Sequence, residues 1–145
     1  MPTVTIDTSA ELGGAAAAFL ADASAVFASA AGAPPEHVHI LLRCGQVMTW
    51  GSRLGGIDGA PHTAQIRVQL GQGLAAAAKN EIVTGVCALL APHVPKASTQ
   101  FTFATVATDD LAIDGLLLPD LIARDFPPAA VTAQPPAGSE DGAAS

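Results

Sequence analysis

Two short stretches with the same pattern decide the fold of this 145-residue chain: residues 1–7, MPTVTID, and residues 63–70, TAQIRVQL. Apolar and polar residues alternate in both stretches, which is typical of a β-strand with one buried face. The apolar positions on the buried faces are Val4, Ile6, Ile66 and Val68. The stretches therefore predict two strands, and their similarity indicates that one structural unit occurs twice in the chain.

A helix and then a second strand are predicted after each of these strands. Thr8 and Glu11 have the spacing of a capping box, which predicts that the first helix begins there. Gly32 and the proline pair after it end this helix. Its predicted buried stripe consists of Leu12, Ala16, Phe19, Ala23, Val26 and Phe27. The strand predicted next spans residues 37–43.

The second unit repeats this order. A helix is predicted from about Leu74 to Ala91, where Pro92 ends it. The strand after it is predicted over residues 98–106. Because a helix joins the two strands of each unit, the strands within a unit are predicted to be parallel.

The predicted fold class is therefore α+β: two β-α-β repeats form a four-stranded mixed sheet with two helices on one face. The other face of the sheet has no helix to cover it, so we expect self-association. Residues 1–126 are predicted to form one domain. Within it, the apolar residues between 116 and 122 predict an added edge strand or a short helix. Residues 127–145 are rich in Pro, Ala and Gly and are predicted to be a disordered tail.

The composition excludes several classes of function. The net charge is −7, only six residues are Lys or Arg, and no basic run occurs, so neither nucleic acid nor an anionic membrane surface is an expected partner. Cys44 and Cys87 are too few for a disulfide framework, and no zinc-ligand spacing occurs, so no metal is expected. Free thiols and the absence of a signal-peptide pattern favour a cytoplasmic location.

Pro2 is the candidate catalytic residue. If the initiator methionine is removed, Pro2 carries a free secondary amine at the start of the first strand. Apolar surroundings favour the uncharged form of an amine. An uncharged amine is able to take a proton from a carbon next to a carbonyl group and return it at a neighbouring carbon. The alternative is a strand-start proline with methionine retained, since proline is tolerated at the first position of a strand.

The chain resembles the tautomerase superfamily in Pro2, in its two β-α-β halves and in two local motifs. Residues 32–53, GAPPEHVHILLRCGQVMTWGSR, are similar to the segment after the first helix of macrophage migration inhibitory factors. Residues 109–119, DDLAIDGLLLP, are similar to the ending of the cis-3-chloroacrylic acid dehalogenase branch. The resemblance implies a homotrimer with an active site around the N-terminal proline, and proton transfer on an enol or 2-keto acid without cofactor or metal.

The resemblance also suggests which residues bind the substrate. His39 aligns with a strand arginine that binds the substrate carboxylate in 4-oxalocrotonate tautomerase, and Arg53 is a second candidate for a carboxylate or oxyanion. Trp50 and Leu70 align with pocket-lining positions. For Arg53 and His39 a solvent-exposed or interface charge is an equally good interpretation, and for Trp50 so is core packing. Two family features are absent, because Ala33 replaces a lysine and residues 70–74 contain no arginine pair.

The leading hypothesis is a cofactor-independent tautomerase or isomerase that uses Pro2 as general base on a small enol or 2-keto acid. The alternative is a catalytically silent trimeric binding or scaffold module with the same fold. The third hypothesis is a hydratase, decarboxylase or dehalogenase of the superfamily, and the missing arginine pair counts against it.

Overall fold

The computed structural model of the chain describes residues 2–71, 73–125 and 127. The strands and helices, in chain order, are β1 (Thr3–Thr8), α1 (Ala16–Ala31), β2 (His39–Arg43), β3 (Thr49–Trp50), β4 (Arg53–Leu54), β5 (Ala64–Leu70), α2 (Ala76–Leu90), β6 (Thr99–Thr105), β7 (Ala112–Ile113), β8 (Leu116–Leu117) and α3 (Leu118–Asp125). They belong to two compact units, which divide between Ala107 and Thr108. Pro127 is the one described residue of the predicted tail, so the tail and the boundary at residue 126 stay predictions.

The four long strands form one mixed sheet in the order β2-β1-β5-β6. β1 pairs with β2, and β5 with β6, in parallel register, while β1 and β5 pair antiparallel at the centre. The predicted β-α-β repeat and the four-stranded mixed sheet are therefore confirmed. The antiparallel central pair joins the two halves of the repeat into a single sheet.

Both helices pack on the same face of this sheet and on each other. From α1, the residues buried in the core are Phe19, Ala23, Phe27 and Ala28; from α2, they are Ile82, Val86 and Leu90. In β5 the burial alternates strictly along the strand, because every second side chain points toward the helices. The opposite face of the sheet is the one on which neither α1 nor α2 packs; it carries mostly polar side chains and is called the open face below.

The predicted start of the first helix is wrong. Thr8 is the last residue of β1, and its Oγ1 donates to the Thr63 carbonyl at 2.9 Å and accepts from the Ala10 amide at 3.1 Å. The hydroxyl therefore links the end of β1 to the residue that precedes β5 and does not cap a helix. α1 begins eight residues later, after a short 3-10 turn over Gly13–Ala15. Its end at Gly32 is as predicted, because Gly32 takes the left-handed conformation with φ of 63°.

Helix α1 and the turn before it, Gly13–Ala31, are long and apolar enough, by length and composition alone, to cross a membrane. The stripe of α1 that contains Phe19, Ala23 and Phe27 is buried against the sheet. This stripe is only part of the segment, because 22% of its most apolar window is buried.

A long loop between β2 and β5 folds into a small hairpin that the sequence did not predict. Trp50 of β3 is paired with Arg53 of β4. In the second unit, β7 and β8 form another two-stranded hairpin, and α3 follows it directly. An edge strand or a short helix was expected there; the short helix is α3, whereas β8 pairs with β7 and not with an edge of the four-stranded sheet.

Candidate active site at Pro2

Pro2 lies directly before β1, one of the two central strands of the sheet, and its side chain is fully buried. Its carbonyl accepts a hydrogen bond from the His39 amide at 3.1 Å. Thr3 pairs with His39 of β2 and with Gln69 of β5. Extending both registers by one residue places Pro2 between Val38, which directly precedes β2, and Leu70 of β5. Both neighbours are also buried, so the proline ring lies in apolar surroundings at one end of the sheet.

Leu70 is the predicted site residue that lies beside Pro2 within one chain. It is the last residue of β5 and only 6% exposed. Its carbonyl accepts from the Val106 amide at 2.7 Å, which fixes the backbone at this end of the sheet. The structure therefore holds the Leu70 side chain in place as one wall of the environment of Pro2.

His39 is close to Pro2 along the backbone, but its side chain points to the other face of the sheet. It pairs with Thr3 in the sheet, and Thr3 pairs with Gln69 on its other side, so all three side chains share the open face. A cavity of about 510 Å³ lies at edge strand β2 and is lined by residues of β1, β2 and α1, among them Thr3, His39 and Ser24.

Trp50 and Arg53 lie at the opposite end of the sheet from Pro2. The loop that carries them is attached near the end of β1, where the Gln46 amide donates to the Thr8 carbonyl at 2.9 Å. Six residues of strand separate this end from Pro2, which is roughly 20 Å. Trp50 is 42% exposed, and Arg53 Nη2 donates to the Asp58 carbonyl at 3.4 Å. One chain therefore does not bring Trp50 or Arg53 to Pro2, and a site containing them together requires a second copy.

A carboxylate–guanidinium cluster on the open face was not predicted as a unit. Asp7 accepts from Arg43 at 2.6 and 2.9 Å and from Arg67 at 2.8 Å. The hydrogen bond from Arg43, followed by that from Arg67, holds the pKa of the Asp7 carboxyl below its usual value, although burial opposes this. Both arginines are thus engaged by Asp7. The alternation in β1, β2 and β5 puts Asp7, Arg43 and Arg67 on the same face of the sheet, and this shared face is the sequence signal that indicates the cluster.

A second polar cluster lies at the far end of the sheet, near the loop. Ser9 Oγ is 3.0 Å from His62 Nδ1 and accepts from the Thr63 amide at 3.0 Å. The sequence gives no sign of this pair, because 53 residues separate Ser9 from His62 and no motif links them.

The titratable side chains in the described parts of the chain include no group of three His, Cys, Asp or Glu residues arranged to hold a metal ion. Cys44 and Cys87 are both free thiols. Burial raises the pKa of the Cys87 thiol, which favours its protonated and less reactive form.

Comparison with known proteins shows similarity at the level of the fold. No protein-family model matches the chain, and no curated protein matches its sequence significantly. The structure of a macrophage migration inhibitory factor homologue from Prochlorococcus marinus superposes with a TM-score of 0.70 at 20% identity, covering 80% of this chain and 98% of that one. The structure of a native fused 4-OT superposes with a TM-score of 0.68 at 23% identity, covering 82% of this chain and 98% of that one. Pt0534, in a structure inactivated by 2-oxo-3-pentynoate, superposes with a TM-score of 0.68 at 13% identity, covering 84% of this chain and 99% of that one. The chain therefore has the fold of the tautomerase superfamily.

Proposed function

We propose that this protein is a cofactor-independent tautomerase, with Pro2 as the general base after removal of Met1 and a small enol or 2-keto acid as substrate. The observation that carries the proposal is the position of Pro2, buried at the head of a central strand between Val38 and Leu70. Such surroundings favour an uncharged amine, which is the form that accepts a proton. Leu70 contributes an apolar wall in this proposal.

The assembly proposed with this function is a homotrimer. The open face of the sheet and the outer edges of β2 and β6, which pair with no other strand among the described residues, are the surfaces considered for it. Trp50 and Arg53 lie far from Pro2 in their own chain. In this proposal they therefore contribute to the substrate site around Pro2 of a neighbouring copy. His39 would bind a substrate carboxylate from the open face, again at a boundary between copies.

The first experiment measures proton transfer directly. Intact mass of the protein from its native cell establishes whether Met1 is removed. Ketonisation of phenylenolpyruvate, followed by absorbance, is then compared between the natural chain and Pro2→Ala. We expect kcat/KM to fall about a hundredfold, the lower range for loss of a general base. Pro35→Ala, the same change at an exposed proline, is the matched control and is expected to keep full activity.

A second experiment tests the nitrogen itself. Pt0534 is inactivated by 2-oxo-3-pentynoate, an alkynyl 2-keto acid that an uncharged amine attacks by conjugate addition. We expect this compound to modify the present protein once, at the Pro2 nitrogen, and to abolish its activity. Modification elsewhere, or unchanged activity in Pro2→Ala, would contradict the proposal.

The second candidate is a catalytically silent trimeric binding or scaffold module. Two observations favour it: the side chain of His39 points away from Pro2, and Arg43 and Arg67 are both already hydrogen-bonded to Asp7. A protein that is trimeric, lacks Met1 and turns over no enol tested would support this candidate.

A further inference from the structure

The Ser9–His62 cluster has a geometry that the proposed function does not use. Ser9 Oγ accepts from the Thr63 amide, which leaves the hydroxyl proton free to point at His62 Nδ1, 3.0 Å away. This arrangement occurs when the imidazole is neutral and carries its proton on Nε2. A hydroxyl bonded to an imidazole acceptor is the arrangement of an activated serine nucleophile.

The neighbouring loop is built to lie closely against this pair. A Cβ at Gly55 would lie 2.6 Å from Ser9 Oγ, and a Cβ at Gly56 would overlap the His62 ring. Gly56 also has a φ of 75°, which side-chain-bearing residues rarely adopt. Glycine at both positions therefore allows the backbone to approach the two side chains.

A cavity of about 260 Å³ opens onto the pair. Its polar lining residues are Ser9, Gln46 and His62, and Met48, Leu54 and Ile57 are among its apolar ones. Leu54 is 40% exposed and Ile57 is 49% exposed, so this apolar side is open to solvent in the single chain. Pockets that combine apolar walls with a few polar groups are typical of small-molecule sites.

We propose that Ser9 and His62 form a second reactive site, which takes short, apolar acyl groups from activated esters or thioesters. Ser9 Oγ attacks the carbonyl carbon, and its proton passes to His62 Nδ1. The bond to the leaving oxygen or sulfur breaks, and the leaving group takes that proton. An acyl-Ser9 ester results, which water hydrolyses to a carboxylic acid with His62 again as base.

The geometry also sets the expected rate and substrate size. No carboxylate forms a hydrogen bond with His62 within residues 2–71, 73–125 and 127, so the imidazole lacks the orienting acid of a full triad. Turnover is therefore expected to be slow. With an activated ester the good leaving group makes acylation faster than hydrolysis of the acyl-Ser9 ester, so the acyl-enzyme is expected to accumulate. The small cavity restricts the acyl group to a few carbon atoms.

The test uses the full-length chain and p-nitrophenyl acetate at neutral pH. We expect a burst of p-nitrophenolate and the gain of one acetyl group, placed on Ser9 by peptide mapping. His62→Gln keeps a polar side chain but removes the base, and it is expected to slow acetylation about a hundredfold. Ser52→Ala removes an exposed serine of the same loop and is the matched control, with an unchanged burst.

Ser9→Ala removes the partner of the Thr63 amide and risks unfolding, so Ser9→Cys is the second variant at this position. It is expected to fold and to collect the acetyl group as a thioester. Acetylation confined to Lys79, Lys96 or the N-terminal amine would overturn the proposal. Acetylation of Ser9 at the same rate in His62→Gln would overturn it as well.

Discussion

At the scale of single residues, Asp7 best illustrates how the sheet tolerates a buried charge. Asp7 is only 7% exposed, and its carboxylate accepts three hydrogen bonds from two guanidinium groups. Both guanidinium groups are about half exposed, so solvent screens the attraction. The cluster therefore satisfies the carboxylate without contributing the full energy of a buried ion pair.

Asp7→Asn is expected to destabilise the protein by roughly 1–2 kcal/mol at neutral pH, because hydrogen bonds to charged groups are lost and solvent screening limits the effect. Equilibrium unfolding in urea measures this change. Asp22→Asn, at an exposed position of α1, is the control and is expected to change stability little.

The same carboxylate gives a pH dependence with a definite sign. The pKa of Asp7 is lowered from its ordinary 3.8 in the folded chain, so the unfolded chain binds the proton more readily. Its contribution to stability is therefore complete well above pH 3.8 and is lost as the pH falls below that value toward the folded pKa. In urea unfolding between about pH 5 and pH 3, Asp7→Asn should show a shallower loss of stability than the natural chain. An identical slope in both proteins would contradict this.

At the scale of the elements, the contact between α1 and α2 depends on a glycine. A Cβ at Gly85 would lie 2.8 Å from Val26 Cγ1, so α2 approaches α1 there more closely than a side chain allows. This explains a glycine inside α2, where helix propensity alone disfavours it by about 1 kcal/mol relative to alanine.

Gly85→Ala is therefore expected to lower stability by about 1 kcal/mol, because overpacking outweighs the gain in helix propensity. In a Val26→Ala background the same substitution should stabilise, since the overlapping methyl groups are gone. The measurement is a double-mutant cycle from thermal or urea unfolding. Additive effects of the two substitutions would show that the helices do not meet at this point.

Individual elements were predictable where the local pattern and the tertiary structure agree. Strict alternation of apolar and polar residues predicted β1 and β5, and Gly32 predicted the end of α1. The capping box failed because the Thr8 hydroxyl bonds Thr63, a partner 55 residues away that no local pattern reveals. The β3–β4 hairpin was missed because each strand has only two residues, too few to show alternation.

At the scale of the whole molecule, the open face of the sheet is the main unexplained surface. Leu41 of edge strand β2 is 55% exposed on this face, beside His39 and Arg43. A single exposed leucine is common on protein surfaces, so Leu41 serves here as a probe of this face and not as evidence of an interface. The trimer that we propose would bury it.

Native mass spectrometry is expected to find three copies of the chain. Leu41→Lys should shift this assembly toward the monomer, because it places a charge in a buried interface. Ala21→Lys puts the same charge on an exposed position of α1 and should leave the assembly intact. A monomer in the natural protein, or a Leu41→Lys trimer of unchanged stability, would argue against an interface on this face.

The sequence by itself determined the two β-α-β halves, the mixed sheet and which face each strand buries. These features follow from alternation and helical spacing, which are local patterns. Leu70 was expected at the site from the family resemblance alone, and it is the pairing of β1 with β5 that places it beside Pro2. Only the tertiary structure decided that His39 turns to the opposite face from Pro2, that Trp50 and Arg53 lie at the far end, and that Ser9 meets His62. Those outcomes depend on pairing between residues distant in the chain, and one chain's local pattern contains no information about such pairs.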